Sequence, residues 1–194
     1  MALKLDSIII PRSCVGNGTI QNNLIPQKIG IFTWRFLKGR IAVKTELEKR
    51  GIVLDSLLCP MCNNVTESIV HAIFSCKTAH DVWVGIFKWW KINLPSDITL
   101  DELLGGTGYG NFSSIQAKIW QAIMWTTRYI IWKNRNQKVF NNDSWIAQKI
   151  ICEVQVKTFE WIGNRSKRIH KDWHQWLYDP INLGFPAINN RDPG

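Results

Sequence analysis

Three cysteines and one histidine lie close together between positions 59 and 76, in the stretch CPMCNNVTESIVHAIFSC. Two residues separate Cys59 from Cys62, and four separate His71 from Cys76. Thiolates and neutral imidazoles are typical zinc ligands, and structural zinc sites fill all four tetrahedral positions with them. The spacing therefore predicts one metal site with Cys59, Cys62, His71 and Cys76 as its ligands.

The same four residues also fit a chain that binds no metal. In that interpretation Cys59 and Cys62 are loop thiols, His71 is an ordinary helix histidine and Cys76 is a core thiol. Five residues along an ideal α-helix rotate about 500°, which leaves His71 and Cys76 about 140° apart. The two side chains converge only if the helix ends or distorts near Cys76. The spacing is compatible with a metal site but does not require one.

The cysteine count and the lack of targeting signals favour metal binding over disulfides. The chain has five cysteines, an odd number, and its N-terminal apolar run is too short and too polar for a secretion signal. No apolar stretch approaches the roughly 18 residues that a membrane helix needs. We therefore expect an intracellular chain, nuclear or cytoplasmic and not secreted, with reduced thiols and no membrane contact. Cys14 and Cys152 lack comparable partners, and Cys152 is expected in a helix core.

The formal charge of +9 is unevenly distributed along the chain. Residues 1–58 contain nine basic and four acidic residues, residues 59–112 three and five, and residues 113–194 twelve and six. Basic sequence therefore flanks a slightly acidic Cys/His segment. This balance suits a nucleic-acid partner, although basic residues also serve solubility alone.

The elements that position the Cys/His residues are predicted to be helices. Apolar spacing and end signals place them at 28–40, 43–51, 68–75, 80–90, 95–106, 114–140 and 145–168. A turn with a cap at Asp143 or Ser144 joins the last two into an antiparallel hairpin. The 11 tryptophans imply large buried surfaces.

The predicted fold class is mainly α, with a small zinc-stapled Cys3His helical module followed by a long helical hairpin. The expected divisions are a loosely ordered N-terminal segment at 1–24, a zinc-binding module at 25–95, a short helix and linker at 96–112, the hairpin extension at 113–171 and an irregular tail at 172–194.

The stretches WRFLKGRIAVKTELEKRGI and CPMCNNVTESIVHAIFSCKTAHDVW resemble the reverse-transcriptase zinc-binding domain of plant LINE-type (non-LTR) retrotransposons and of stand-alone plant proteins derived from them. The resemblance covers roughly residues 25–95. It rests on Phe32 to Arg35, Leu47, Arg50, Gly51, Cys59, Cys62, Glu67, His71, Phe74, Cys76, Ala79, Val82 and Trp83. The following IIWKNRNQKVFNN resembles the extension that such plant proteins carry. The resemblance implies one structural zinc per chain, held by the four Cys/His residues.

Two features depart from that family or from its parent elements. Val43 stands where the family often has a capping threonine. The chain also lacks the aromatic-x-Asp-Asp motif of a polymerase active site, and nothing in its tail suggests the carboxylates of an RNase H. We therefore expect no catalytic residues and no enzymatic activity.

Two further side chains are candidates for roles at the site. Glu67 lies four residues before His71, and it is expected either to orient that imidazole or to be a solvated acid at a helix start. His80 is a competing metal ligand outside the matched spacing.

The expected function is binding of RNA or DNA, with basic residues neutralising phosphates. The candidates are Lys28, Arg35, Lys38, Arg40, Lys44, Lys49, Arg50, Lys133, Arg135, Lys138, Arg165, Lys167, Arg168 and Lys171. Basic residues at helix ends also complement the helix dipole without any ligand. The alternatives are a protein-interaction module that presents a patch such as Trp89–Trp90 to a polymerase or another protein, and a transposon-derived fragment without function.

Overall fold

The computed structural model describes residues 22–94, 112–166, 169 and 172–182. Within these ranges the chain is mostly helical and contains no β-strand, which confirms the mainly α fold class. Its elements are α1 (Gln27–Leu37), α2 (Lys44–Glu48), a π-helical turn (His71–Ser75), α3 (Lys77–Trp89), α4 (Ser114–Asn141), α5 (Ala147–Arg165), α6 (Trp173–Tyr178) and a 3-10 turn (Pro180–Asn182). Cys14, the N-terminal segment 1–21 and the helix predicted at 95–106 lie outside the described residues.

Helix α1 buries one face, formed by Ile29, Phe32, Thr33 and Phe36 at the i, i+3, i+4, i+7 spacing of one side of a helix. Trp34 on the same helix is only half-buried. The chain leaves the helix through Gly39, whose φ of +65° suits glycine.

Helix α2 begins without a side-chain cap of its own, because Val43 precedes it. The Glu67 carboxylate supplies the missing acceptor and takes a hydrogen bond of 2.9 Å from the Lys44 N–H. The Thr45 hydroxyl donates to the Glu67 carbonyl at 2.9 Å. A residue distant in sequence therefore replaces the local cap that the chain lacks.

Helices α4 and α5 form the predicted hairpin. A capping box between Ser113 and Gln116 begins α4. The prediction that Asp143 or Ser144 caps the second helix is wrong, because α5 begins at Ala147 and has no side-chain cap. Asn142 ends α4 in a left-handed conformation, and Ile146, the residue before α5, is extended.

The inward face of α5 is set by a four-residue repeat. Ile150, Val154, Thr158 and Ile162 are buried. Cys152 is exposed, so its predicted place in the core is wrong. It follows Ile150 by two residues, a rotation of about 200° that turns its thiol towards water.

The tail from residue 172, expected to be irregular, contains a docked helix. Asp172 caps α6 by accepting the Gln175 N–H at 3.0 Å. Trp176 is fully buried, and its indole N–H donates to the Gln155 carbonyl at 2.9 Å. The Trp89 indole N–H donates to the Trp176 carbonyl at 3.0 Å. These contacts fix α6 against α3 and α5.

One hydrophobic core runs through the Cys/His region and the hairpin. The Phe87 ring of α3 lies edge-on to Trp120 of α4, with centroids 5.2 Å apart. Trp89 and Trp90 are buried in this core, so this pair does not form the exposed patch that would have favoured a protein-interaction module. In the described part of the chain, no helix is both long and apolar enough to cross a membrane.

Candidate metal centre

A short hairpin loop holds the two cysteines of the Cys59-x2-Cys62 pair. Leu58 and Thr66 form an antiparallel bridge, and the Cys59 N–H donates to the Val65 carbonyl at 2.7 Å. Asn63 takes a left-handed conformation with φ of +51°, and its N–H donates to the Cys59 carbonyl at 2.8 Å. The tight turn directs both sulfurs to the same side of the loop.

The π-helical turn brings His71 and Cys76 together, although an α-helix would hold their side chains about 140° apart. The Cys76 N–H donates to the His71 carbonyl at 2.8 Å, an i→i+5 bond. A π turn accommodates one more residue than an α turn, so residues five apart lie one above the other. Cys76 then adopts an extended conformation and precedes α3. The helix therefore distorts near Cys76, as expected from the spacing, and the distortion brings the side chains of His71 and Cys76 to one face.

The structure brings the four predicted ligand residues together. Their ligand atoms all lie within 4.8 Å of one another. The sulfurs of Cys59 and Cys76 are 3.9 Å apart, and the Cys62 sulfur is 3.3 Å from Nε2 of His71. Cys59 and Cys76 are completely buried, His71 is nearly so, and Cys62 is half-buried.

Two of these separations are close to those around a tetrahedral zinc ion. With Zn–S near 2.3 Å and Zn–N near 2.0–2.1 Å, tetrahedral angles put two sulfurs about 3.8 Å apart and a sulfur and a nitrogen about 3.6 Å apart. The observed sulfur–sulfur distance of 3.9 Å is slightly longer than the first value. The observed sulfur–nitrogen distance of 3.3 Å is slightly shorter than the second. Three soft sulfurs with one imidazole are also a donor set that suits zinc.

Hydrogen-bond donors surround the two buried sulfurs. The backbone amides of Met61 and Cys62 donate to the sulfur of Cys59. The sulfur of Cys76 lies 3.1 Å from the Thr78 hydroxyl and accepts the Thr78 backbone N–H. Such donors stabilise sulfur as a thiolate, the form that binds metal.

Close contacts among the thiols shift their pKa values. The hydrogen bond from Cys59 lowers the pKa of Cys76 to about 3, while the same contact and burial raise the pKa of Cys59. The contact with Cys76 also raises the pKa of His71. Because a ligand thiol and a ligand imidazole must both be deprotonated, zinc binding to this set displaces protons.

Glu67 has neither of the two roles predicted for it. It is completely buried, so it is not a solvated acid, and its carboxylate faces Arg135 of α4 and not His71. Arg135 Nε donates to Glu67 Oε1 at 2.7 Å, and Nη2 donates to Oε2. The Cys/His segment, α2 and α4 therefore meet at this one carboxylate.

His80 lies on α3 outside the cluster. Its N–H donates to the Cys76 carbonyl at 2.8 Å, which continues the helix, and its side chain is half-buried. Among the described residues, only the four predicted side chains form a group of three or more metal-binding residues.

Most of the described basic candidates face solvent. Lys28, Arg35, Arg40, Lys49, Arg50, Lys133 and Arg165 are exposed, and Lys38, Lys44 and Lys138 are half-buried. Arg135 is buried and occupied by Glu67, so it is not available to a phosphate. Lys167, Arg168 and Lys171 lie outside the described residues.

Comparison with known families decides what kind of domain carries this cluster. Residues 12–83 match the family model described as zinc-binding in reverse transcriptase. Over these 72 of its 194 residues the chain is similar to that zinc-binding domain. The match begins and ends earlier than the module predicted at 25–95, and the origin in plant LINE-type elements stays a prediction. No curated protein and no solved structure matched the chain.

The zinc-binding domain and the Cys3His cluster coincide, which identifies structural zinc as the cofactor. The matched segment contains the loop, the π turn and the first part of α3. Helices α4 and α5 lie outside it, yet α4 provides Arg135 against Glu67.

Proposed function

We propose that Cys59, Cys62, His71 and Cys76 hold one structural zinc ion, and that the chain is a non-catalytic accessory module that binds RNA or DNA. The observation that carries the metal assignment is the convergence of four ligand atoms within 4.8 Å. Four protein ligands leave no position for a water molecule, and an activated water is what a hydrolytic zinc site needs. The predicted module at 25–95 and hairpin at 113–171 belong to this proposal.

The protein residues around the site have positioning roles. The hairpin loop contributes two ligands and the π turn with Cys76 at its end contributes two, so a bound metal joins these two segments. Glu67 then links the second of these segments to α2 and α4. The zinc cluster is thus part of the scaffold that presents the basic helices.

Charge on α1 and α4 supports the nucleic-acid part of the proposal. Neither helix contains an aspartate or a glutamate. Their exposed cations, Lys28 and Arg35 on α1 and Lys133 on α4, face solvent on two helices that pack together. Such a surface attracts a polyanion through counterion release, without reading base sequence.

The metal assignment is tested by native mass spectrometry of the full chain and of two serine variants. We expect one zinc per wild-type chain and loss of zinc in Cys76→Ser. The matched control is Cys152→Ser, because Cys152 is an exposed thiol outside the cluster and its loss should leave the zinc in place. Wild-type protein without zinc, or equal zinc content in both variants, would refute the assignment.

The nucleic-acid assignment is tested by fluorescence anisotropy with labelled RNA and DNA at several salt concentrations. We expect binding that weakens as salt rises, and a smaller salt slope for the double variant Lys28→Ala, Arg35→Ala. A control variant, Lys157→Ala, removes a lysine of α5 that is paired with Glu160 and should bind like the wild type. No detectable binding at low salt would contradict this part of the proposal.

A further inference from the structure

Helix α4 carries a surface pocket that neither the zinc site nor the family match explains. The pocket has a volume of about 370 Å³ and lies along the C-terminal half of the helix. The residues that line it are Tyr129, Trp132, Lys133, Asn136, Gln137, Phe140 and Asn141. From Tyr129 to Phe140 the helix rises about 16 Å, enough for a short run of nucleotides.

The three rings differ in how firmly they are held. Tyr129 and Trp132 pack against Phe32 of α1, with ring centroids at 5.6 Å and 6.4 Å from its ring. Phe140 is 78% exposed near the end of the helix. The pocket therefore combines two aromatic rings of fixed orientation with one that projects into water.

Positive charge borders these rings. The Lys28 ammonium lies 5.8 Å from the centre of the Tyr129 ring. Lys133 pairs with Glu153 at 2.8 Å, and this pair is partly exposed. Exposed ion pairs contribute little stability, so a phosphate can replace the carboxylate at small cost. Helices α1 and α4, which form this surface, contribute no acidic residue, and Glu153 belongs to α5.

We propose that this aromatic pocket of α4 binds single-stranded nucleic acid, with a base stacked on Phe140 and the backbone near Lys28 and Lys133. This inference rests on the proposed nucleic-acid function and assigns it a site and a strand state. Stacking on aromatic rings requires bases whose faces are accessible, which a duplex does not offer. The neighbouring amides match the hydrogen-bonding edges of unpaired bases.

An apolar peptide is the competing occupant of an aromatic pocket. Gln137 and Asn141 in the lining disfavour it, because an apolar peptide that buried their side-chain amides would leave these polar groups unsatisfied. The charge of α1 and α4 also favours a polyanion over a neutral helix.

The test measures anisotropy of the full chain with a labelled single-stranded oligonucleotide and with its duplex, for the wild type and for variants. Phe140→Ala should weaken single-strand binding about tenfold, the range expected for loss of one stacking contact. Duplex binding should change less than twofold. Because Phe140 is mostly exposed, its removal should leave the fold intact, which circular dichroism checks.

Two matched controls separate stacking and charge from general effects. Tyr178→Ala removes an aromatic ring of similar exposure, 74%, on α6 and should leave binding unchanged. Lys157→Ala removes a lysine with a partly exposed ion pair, as Lys133→Ala does, and only the latter should weaken binding.

The outcomes distinguish this inference from the proposed function. Wild-type binding with equal affinity for both strand states, and no effect of Phe140→Ala, would overturn the pocket and leave binding through the basic flanks intact. Absence of all binding would overturn both. Binding of a labelled apolar peptide that Phe140→Ala abolishes, with oligonucleotide binding unchanged in that variant, would assign the pocket to a protein partner instead.

Discussion

At the scale of single residues, Glu67 shows how one side chain connects the Cys/His region to the rest of the chain. Its carboxylate accepts hydrogen bonds from the Lys44 backbone and from Arg135, and its carbonyl accepts from Thr45. Glu67 and Arg135 have exposed fractions of 0% and 5%. A buried charge that keeps a partner is tolerated, whereas one that loses its partner strongly destabilises the fold.

Glu67→Gln is therefore expected to lower the free energy of unfolding by about 3 kcal/mol, because it leaves the Arg135 charge buried without a counterion. Chemical denaturation followed by circular dichroism measures the loss. Glu153→Gln is the matched control, since it breaks a partly exposed pair with Lys133 that should contribute less than about 1 kcal/mol. Equal decreases in the free energy of unfolding for the two variants would show that the buried Glu67–Arg135 pair contributes no more stability than the partly exposed one.

The four metal-binding candidates were readable from residue type and spacing, but the partner of Glu67 was not. Arg135 lies 68 positions away, and its place opposite Glu67 follows only from how α4 packs. Local sequence around Glu67 suggested His71 because the two are near neighbours in the chain. The error came from treating proximity in sequence as proximity in space.

At the scale of elements, the direction in which each helix turns its side chains, and whether a turn is α or π, do not follow from the apolar pattern alone. Cys152 was expected in the core because its neighbours are apolar, yet the four-residue repeat of α5 turns it outward. The π turn at His71–Ser75 is likewise invisible to spacing, since the same letters would also form an α turn. Helix geometry showed that the helix must end or distort near Cys76, but it did not show that the distortion would be a π turn.

Close packing between α3 and α5 gives a prediction at this scale. A methyl group added to Gly85 of α3 would lie 2.3 Å from Cδ1 of Ile151 and 3.2 Å from its Cγ1. Gly85→Ala should therefore strain the contact, an overpacking cost of about 1–3 kcal/mol, partly offset by the better helix propensity of alanine.

A double-mutant cycle isolates that contact. Ile151→Val removes the Cδ1 atom, so Gly85→Ala should cost about 1 kcal/mol less in the valine background than in the wild type. Thermal and chemical denaturation of the four proteins provide the values. An additive cycle would contradict the close approach of α3 to α5.

At the scale of the whole molecule, the Cys/His region and the hairpin share one core. Rings from α1, the π turn, α3 and α4 are in contact, as the pairs Phe36–Phe74 and Phe87–Trp120 show. The sequence predicted the two parts separately, because the pattern within each helix does not reveal which helix its apolar face contacts. Helix α6 was not predicted for the same reason, because Trp176 is buried through contacts with α3 and α5, which are distant in sequence.

A shared core predicts that metal loss affects the entire chain. Removal of zinc by a chelator should lower the melting temperature in a single transition and increase hydrogen exchange in α4 as well as in the π turn. Cys152→Ser should respond as the wild type does. Exchange that rises only in the loop at residues 57–67 and in the π turn would indicate that the metal stabilises its own neighbourhood alone.

Zinc X-ray absorption of the purified full chain tests the central claim most directly, because it reports the identity and distance of the atoms around the metal. The proposed site predicts three sulfurs at about 2.3 Å, one nitrogen at about 2.0–2.1 Å and no oxygen from water. Cys76→Ser should lose bound zinc or lose one sulfur from the spectrum, while Cys152→Ser should leave it unchanged. Two or fewer sulfurs in the wild type, or a water oxygen in the inner shell, would contradict a closed Cys3His site.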